Sequence, residues 1–239
     1  MIDLHCHILP QLDDGALSLD DSIAMARQAE QDGIEAVCAT PHIRHDHDVH
    51  IPEIATRVAK LQIALEGRGI AVRIFPGGEL AQTAAEGLTP EELQAVSLGG
   101  AGGWVLLEPA PGPLGKELCE VVERLAGCGA RALIAHPERH AGADFEQHLR
   151  VLMSMGCLMQ WTADFFARAQ PDDAILRFAR DGLVHVLSSD AHSSLAGRAV
   201  RLATGFERLR EVCPAEWVDW MAEQAPRAIL AAEPLTAPW

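Results

Sequence analysis

The chain has 239 residues, of which 49% are hydrophobic, and its formal net charge at pH 7 is -15. This length and composition are sufficient to bury a sizeable core, either as one large α/β barrel or as two small domains. The excess of acidic residues argues against sequence-independent binding to nucleic acid, which depends on dense lysine and arginine. A cluster of carboxylates would instead attract metal cations.

No apolar stretch approaches the roughly 20 consecutive residues that a membrane-spanning helix requires. Met1 and Ile2 lead directly to Asp3 and His5, without the basic and apolar regions of a secretory signal. No Pro/Ser-rich linker divides the chain, so we expect a single domain over residues 1–239. The cysteines form no C-x-x-C pair and are typical of buried side chains in a reducing compartment: Cys6, Cys38, Cys119, Cys128, Cys157 and Cys213. We therefore expect a cytoplasmic protein.

Helices are predicted along the whole chain. The first begins after Ser18, an N-cap residue, and ends at Gly33. The second covers residues 52–66, where apolar side chains recur at spacings of three and four. The third, at 90–97, begins with a proline that follows a threonine N-cap. The others are predicted around 118–125, 144–155 and 172–181, before a helical C-terminus that contains Trp217, Trp220 and Met221 and a last short helix from Pro226.

Seven short segments predict β-strands, of which the first precedes the first helix and the other six are mainly apolar. They cover residues 3–7, 34–40, 71–75, 104–108, 130–135, 157–161 and 184–188. Strands that alternate with helices in this way are typical of parallel βα units. In a closed barrel of such units, the carboxyl ends of all strands lie on one face, where such enzymes have their active sites.

Two other patterns in the sequence do not indicate a function. The glycines at 99, 100, 102 and 103 precede a strand instead of joining a strand to a helix, so they are not a dinucleotide-binding fingerprint. Cys119 and Arg124 are separated by four residues, one fewer than in the C-x5-R loop of cysteine phosphatases, and they lie in a predicted amphipathic helix without the glycines that cradle phosphate. We therefore expect neither a nucleotide cofactor nor a phosphocysteine intermediate.

Side chains that can bind metal lie where six of the seven predicted strands end. In an extended strand His5 and His7 point to the same side, and Cys6 points away from them into the predicted core. The whole set contains five histidines and three carboxylates: His5, His7, His42, Glu79, Glu108, His136, Asp190 and His192. These are too many ligands for one tetrahedral zinc ion. Two or three divalent ions, of manganese, iron or zinc, fit the set better.

Further histidines and aspartates lie close to this set in the sequence. His45, His47 and His50 alternate with acidic residues in a loop, and we predict that they are rim residues exposed to solvent. Asp13 and Asp14 have two interpretations. They either orient the nearby histidine ligands or stabilise a turn.

The motifs that carry these residues resemble the PHP (polymerase and histidinol phosphatase) superfamily. They are His5-x-His7, Thr40-Pro41-His42, Gly78-Glu79, Glu108, His136-Pro137-Glu138-Arg139 and Ser189-Asp190-Ala191-His192. Within the superfamily, residues 3–10, 12–16 and 136–139 are similar to the metal-dependent bacterial protein tyrosine phosphatases of capsular and exopolysaccharide loci. The resemblance covers nearly the whole chain.

This resemblance implies a distorted TIM-like (βα)7 barrel with a trinuclear metal centre. The implied reaction is the hydrolysis of phosphotyrosine on the C-terminal tail of a membrane-associated tyrosine kinase of polysaccharide assembly. We expect a hydroxide that bridges the metal ions to attack phosphorus directly. Arg139 is placed to bind phosphate, because a guanidinium matches two phosphate oxygens, and Arg198 is a second candidate for this role.

Two alternatives to a protein tyrosine phosphatase are open. One is a PHP phosphoesterase for a small metabolite such as histidinol phosphate, which a narrow and closed basic pocket would favour, whereas an open rim favours a peptide. The other is a non-catalytic, metal-containing regulatory module. Two departures from the family pattern concern the substrate rim: residues 162–166 replace a small Gly/Ser-containing turn, and Ala199 instead of proline follows Arg198.

Overall fold

Short strands and helices alternate from one end of the chain to the other in the computed structural model, which describes residues 1–239. The strands are β1 (Ile2–Cys6), β2 (Ala36–Ala39), β3 (His42–Ile43), β4 (Arg73–Pro76), β5 (Glu79–Ala81), β6 (Trp104–Glu108), β7 (Arg131–Ile134), β8 (Leu158–Thr162) and β9 (Val186–Ser188). The α-helices are α1 (Leu19–Gln31), α2 (Ile54–Glu66), α3 (Pro90–Val96), α4 (Lys116–Gly127), α5 (Phe145–Ser154), α6 (Ala163–Arg168), α7 (Ala174–Arg180), α8 (Ala203–Arg210), α9 (Ala215–Asp219) and α10 (Ala225–Leu230).

The strands form a distorted parallel barrel. One sheet has the order β1-β2-β4 and the other the order β3-β5-β6-β7-β8-β9, with every pair parallel. The strand β3 continues the direction of β2, and β5 continues that of β4, so each of these pairs occupies one position in the ring. The nine strands therefore occupy seven positions. Backbone hydrogen bonds of 2.8 Å from Asp190 to His5 and from His7 to Ala191 join the end of β9 to β1. The predicted fold class is confirmed.

A short additional strand follows the second and the third predicted strands. The chain breaks after β2 and after β4, and His42 and Glu79 then begin the new short strands β3 and β5. Pro41 contributes to the first break because proline has no N–H to donate to the sheet. At the second break Gly78 allows close approach, since a Cβ there would lie 2.8 Å from the Ile43 side chain. The seven predicted strands therefore become nine, and two of the proposed ligands lie at the breaks.

The predicted helices form close to their expected bounds. Ser18 caps α1 by accepting a hydrogen bond of 3.2 Å from the backbone N–H of Asp21, and a capping box begins α3. A 3-10 turn precedes α2, so that helix begins two residues later than predicted. The sequence does not predict α6, which follows β8 directly and buries Phe166. None of the helices combines the length and the apolar character that crossing a membrane would require.

Apolar side chains form two core clusters. The larger, of 61 residues, contains side chains of both helices and strands, and Cys6 is fully buried in it, as predicted. The smaller, of 12 residues, combines side chains from β1, β2, β6, β7, β9 and α10. Because these strands lie around the ring, the smaller cluster fills the barrel interior. The polar strand ends lie above it.

The C-terminal tryptophan packs against a buried histidine at the amino-terminal end of β9. The ring of His185 lies 5.6 Å from that of Trp239, and its Nδ1 accepts a hydrogen bond of 3.2 Å from the backbone N–H of Met159. Trp239 also packs on Trp217, with ring centroids 4.8 Å apart. Burial lowers the pKa of His185 to about 4.

We expect acid to destabilise the fold through His185. The folded-state pKa is lower than the unfolded value of about 6.5, so the contribution of the neutral ring is complete above pH 6.5 and is lost as the pH falls toward 4. The expected loss between pH 7 and pH 5 is about 2 kcal/mol in the free energy of unfolding. Urea unfolding at pH 7 and pH 5 measures this loss in the wild type and in His185→Asn. The amide oxygen of the asparagine can still accept the hydrogen bond from the backbone N–H of Met159. Equal pH dependence of the two proteins would contradict this expectation.

Candidate metal centre

The eight candidate ligands come together at the carboxyl-terminal mouth of the barrel. Their donor atoms form four overlapping groups, and within each group all donor atoms lie within 4.8 Å of one another. The groups are His7, Asp14, His42 and His192; His5, His136 and Asp190; His5, His7 and Glu79; and His42, Glu79 and Glu108. Every residue of the predicted set belongs to at least one group. Asp14 is the one additional member.

Glu79 is the central carboxylate of the cluster. Its Oε2 lies 3.2 Å from Nε2 of both His5 and His7 and 3.0 Å from Nδ1 of His42. Its other oxygen, Oε1, lies 2.8 Å from Nε2 of His136. The break between β4 and β5 thus places one carboxylate between imidazoles from β1, β3 and the end of β7.

The donor atoms at this mouth fit divalent cations. Glu79 Oε2 and His42 Nδ1 are buried and have no hydrogen-bond partner, although they lie only 3.0 Å apart. His5 Nε2 and His7 Nε2 face each other at 3.2 Å. The Nδ1 atoms of both rings contact oxygen acceptors, so neutral rings direct two lone pairs toward the same space. A bound metal ion would stabilise this arrangement, in which nitrogen lone pairs and a carboxylate point toward the same space.

Asp13 orients the histidines from outside the cluster. Its Oδ2 accepts hydrogen bonds of 2.7 Å from His7 Nδ1 and 2.9 Å from the backbone N–H of His42, and its Oδ1 accepts one of 2.9 Å from the N–H of Gly15. Both interpretations of Asp13, as an orienting residue and as a turn residue, therefore hold. Gly15 is required here, because a Cβ would lie 2.3 Å from the carbonyl oxygen of His7.

We expect Asp13→Asn to weaken Mn²⁺ binding by about 10- to 100-fold, the usual cost of losing an orienting carboxylate behind a histidine ligand. Asparagine has one acceptor oxygen for three donors, and its NH₂ group would face a donor. The affinity is measured by titrating the metal-free protein with Mn²⁺ and recording the EPR signal of the free ion. Asp20→Asn, in the exposed first turn of α1, is the control. Equal affinities for the two variants would contradict the orienting role.

Asp14 and His192 form the exposed side of the cluster. Asp14 Oδ1 lies 3.4 Å from His42 Nε2 and 3.6 Å from His192 Nε2, and its side chain is 59% exposed. The ring of His192 stacks on that of His7, with centroids 3.9 Å apart. Asp14 therefore has the geometry of a ligand, although the sequence predicts only an orienting or turn-forming residue.

Two arginines hold Asp190 at the edge of the cluster. Asp190 Oδ2 accepts a hydrogen bond of 2.8 Å from Arg198 Nη2 and a second from Arg139 Nη2, while its Oδ1 lies 3.4 Å from His5 Nε2. The side chains of Arg139 and Arg198 are 34% and 31% exposed. Glu138, the alternative partner of Arg139, accepts instead from the backbone N–H of Thr162 at 3.0 Å. Two half-exposed guanidinium groups thus lie beside the candidate metal ligands.

Backbone strain occurs at two of the strand ends that carry candidate ligands. His136 has a φ of 28° and Asp190 a φ of 49°. Such positive φ angles cost roughly 1–3 kcal/mol for residues other than glycine and concentrate at functional sites. In both cases the strained residue is the second residue after a strand, β7 or β9, and its side chain belongs to the cluster.

Neighbouring side chains shift the pKa values of Glu79 and His7 within the cluster. Burial disfavours an ionised Glu79, but the charge of His5, a hydrogen bond from His136 and the adjacent His42 ring outweigh it and hold the pKa of Glu79 well below its usual range. Burial likewise disfavours protonated His7, yet the hydrogen bond to Asp13 and the charge of Glu79 raise the pKa of His7 to about 10. Glu79 is therefore ionised, and positive charge is favoured beside it.

The rim contains the remaining predicted residues. Glu108 is 17% exposed, and its Oε2 lies 3.6 Å from Arg44 Nη1. His45 and His50 are exposed, as predicted, whereas His47 is half-buried, and its ring stacks on His42 with centroids 5.0 Å apart. This side of the cluster is open to solvent.

The sequence analysis does not predict Asp14 as a ligand, and it assigns no role to Gln160. Asp14 belongs to an acidic pair just after the H-x-H motif, and this proximity is a signal for a ligand as well as for a turn. Gln160 contacts His5 and His136 from the middle of β8. Its signal in the sequence is a long polar side chain in the middle of a mainly apolar strand.

The barrel and its polar mouth define a PHP-like metallohydrolase. The chain belongs to the CpsB/CapC family of capsular polysaccharide synthesis, whose model matches residues 1–231. The tyrosine-protein phosphatase YwqE of Bacillus subtilis is 33% identical over 200 residues, which are 81% of this chain and 78% of that protein. The putative tyrosine-protein phosphatase CapC of Staphylococcus aureus is 27% identical over 204 residues, 81% of this chain and 77% of that protein.

Solved structures agree with this assignment. One described as YwqE from Bacillus subtilis and CpsB from Streptococcus pneumoniae, metal-dependent tyrosine phosphatases, matches with a TM-score of 0.84 and 26% identity over 99% of this chain and 96% of that chain. A beta-aspartyl dipeptidase from Fervidobacterium islandicum AW-1 matches with a TM-score of 0.56 and 17% identity over 96% of this chain and 74% of that chain, and shows the fold alone. The predicted family is confirmed.

Proposed function

We propose that residues 1–239 form one metal-dependent protein tyrosine phosphatase domain that acts in capsular or exopolysaccharide synthesis. The observation that carries this proposal is the position of Glu79. Its carboxylate lies within 3.2 Å of four imidazole nitrogens, and the same cluster includes Asp190, which two arginines contact. A site for cations and a site for phosphate therefore share one barrel mouth.

The proposed metal ligands are the eight predicted residues together with Asp14. They would hold two or three divalent ions, of manganese, iron or zinc, because imidazole nitrogens and carboxylate oxygens suit these metals and no thiolate is present in the groups. When bound, the ions would supply an activated water and positive charge for the phosphoryl oxygens. Glu79 would help to hold the ions through both of its oxygens, which contact different histidines.

Arg139 and Arg198 are the proposed phosphate-binding residues. Both guanidinium groups contact Asp190 Oδ2, and both are partly exposed toward the open side of the mouth. A guanidinium keeps its charge at all physiological pH values and can donate to two oxygens at once. Each arginine can therefore hold Asp190 with one nitrogen and a phosphate oxygen with another.

The open rim supports a phosphotyrosine on a polypeptide as the substrate. Asp14 is 59% exposed, and Arg139, Arg198 and His192 are each between one fifth and two fifths exposed, so the mouth is not a closed pocket. A flexible chain segment could place a phosphorylated ring there. The C-terminal tail of a membrane-associated tyrosine kinase has this chemistry, and we propose it as the partner.

Phosphate release tests the proposal. We expect Mn²⁺-dependent hydrolysis of p-nitrophenyl phosphate and of a phosphotyrosine peptide, and its loss in His136→Ala, whose side chain contacts Glu79. Histidinol phosphate is the comparison substrate. Hydrolysis of histidinol phosphate but not of the peptide would favour a small-molecule phosphoesterase, and no metal-dependent release from any substrate would reject phosphatase activity.

A further inference from the structure

Gln160 lies between two candidate ligands that belong to different strands. It is fully buried in β8, the strand position without a candidate ligand at its end. Its Oε1 lies 2.9 Å from His5 Nδ1, on β1, and 3.3 Å from the backbone N–H of His136, after β7. One amide oxygen therefore links two sides of the barrel mouth.

The two contacts fix the position of a proton on His5. A backbone N–H can only donate, so the side-chain atom of Gln160 that faces His136 must be the oxygen. The same oxygen faces His5 Nδ1, which must then carry a proton to form a hydrogen bond. In the neutral ring the lone pair is consequently on Nε2, the atom that lies 3.2 Å from Glu79 and 3.4 Å from Asp190.

The partner of His5 differs from the partner of His7. His7 Nδ1 contacts the carboxylate of Asp13 at 2.7 Å, whereas His5 Nδ1 contacts a neutral amide. Both arrangements fix the proton, but a carboxylate also makes the imidazole a stronger donor to a metal. The two histidines of the H-x-H motif are therefore unequal ligands.

Packing alone does not account for a glutamine at this position. Its Nε2 is buried without a hydrogen-bond partner, which disfavours folding. An apolar side chain of similar size would avoid this cost. The oxygen of the amide is the part of the side chain that both His5 and His136 use.

We propose that Gln160 is a positioning residue of the metal centre, which holds the His5 proton on Nδ1 and couples His5 to His136 so that both present their ligand atoms together. This inference rests on the proposed metal-dependent function. The sixth strand position, β8, then provides no ligand and instead orients ligands that belong to other strands.

Mn²⁺ affinity, measured by EPR titration of the full metal-free chain, tests this role in three variants. Gln160→Met removes the acceptor at similar length, and we expect it to weaken Mn²⁺ binding by about 10- to 100-fold. Gln160→Glu retains an acceptor for both donors and should bind Mn²⁺ at least as tightly as the wild type. Gln62→Met is the matched control, because Gln62 Oε1 also accepts a hydrogen bond from a backbone N–H, that of Ile74 at 2.9 Å, but Gln62 lies on α2 and contacts no candidate ligand. It should bind as the wild type does.

Each outcome supports or overturns the positioning role. Wild-type affinity in Gln160→Met overturns it, and so does a Gln160→Glu protein as weak as Gln160→Met. If circular dichroism shows that the methionine variant does not fold, Gln160→Asn takes its place, since the shorter amide cannot reach both donors. A wild type that binds Mn²⁺ but hydrolyses no phosphotyrosine rejects the proposed function and leaves this inference standing. A wild type that binds no Mn²⁺ overturns both.

Discussion

Glu79→Gln should remove metal binding and phosphatase activity together, with a loss in kcat/KM of at least about 1,000-fold, or roughly 4 kcal/mol of transition-state stabilisation. The carboxylate contacts His5, His7 and His42 through one oxygen and His136 through the other. Glutamine has a similar shape but lacks the negative charge, and its NH₂ group cannot bind a cation. Measurements of bound Mn²⁺ per chain and of p-nitrophenyl phosphate hydrolysis would show both losses.

The matched control for Glu79→Gln is the same substitution at the other end of the barrel. Glu35 precedes β2, is exposed, and pairs with Arg227 at 2.7 Å. Exposed ion pairs of this kind contribute little, so Glu35→Gln should keep the wild-type metal content and activity. A Glu79→Gln protein that binds Mn²⁺ normally but is inactive would contradict the metal-binding role and leave only a catalytic one.

The location of the site follows from the sequence because one topological rule determines it. Parallel strands that alternate with helices must end at the same mouth, so His5, Glu108 and Asp190 are brought together although they are far apart in the sequence. This rule requires only that strands be recognised, and the apolar character of six of the seven segments is enough for that. Errors of a few residues in the strand bounds, as in β2 and β9, do not change which end a residue occupies.

The finer contacts could not be predicted, because they depend on loop paths and side-chain directions. Asp13 and Asp14 are adjacent and chemically identical, yet Asp13 contacts the back of His7 and Asp14 faces His42 and His192. The close approach of Gly15 to His7 is a feature of this loop path that only glycine allows. Gln160 gives no signal at a strand end, since it acts from within β8 through a hydrogen bond that the sequence does not encode locally.

Substitution of the two arginines is expected to reveal that they act as a pair. Arg139→Ala and Arg198→Ala should each lower kcat/KM by about 10- to 100-fold, the equivalent of one hydrogen bond between charged groups. Because both guanidinium groups contact the same oxygen of Asp190, either loss already displaces that carboxylate. The double variant should therefore lose less than the sum of the two single losses, with a coupling of about 0.5–3 kcal/mol.

Steady-state kinetics on the phosphotyrosine peptide for the wild type, the two single variants and the double variant give this coupling energy directly. Arg168→Ala, an exposed arginine whose ion pair with Asp164 lies within α6, is the control and should leave kcat/KM unchanged. Arg139→Lys separates charge from geometry, since lysine keeps the charge but cannot donate in a planar fork; we expect it to recover part of the loss. Strictly additive losses would mean that the arginines bind phosphate independently and that Asp190 does not connect them.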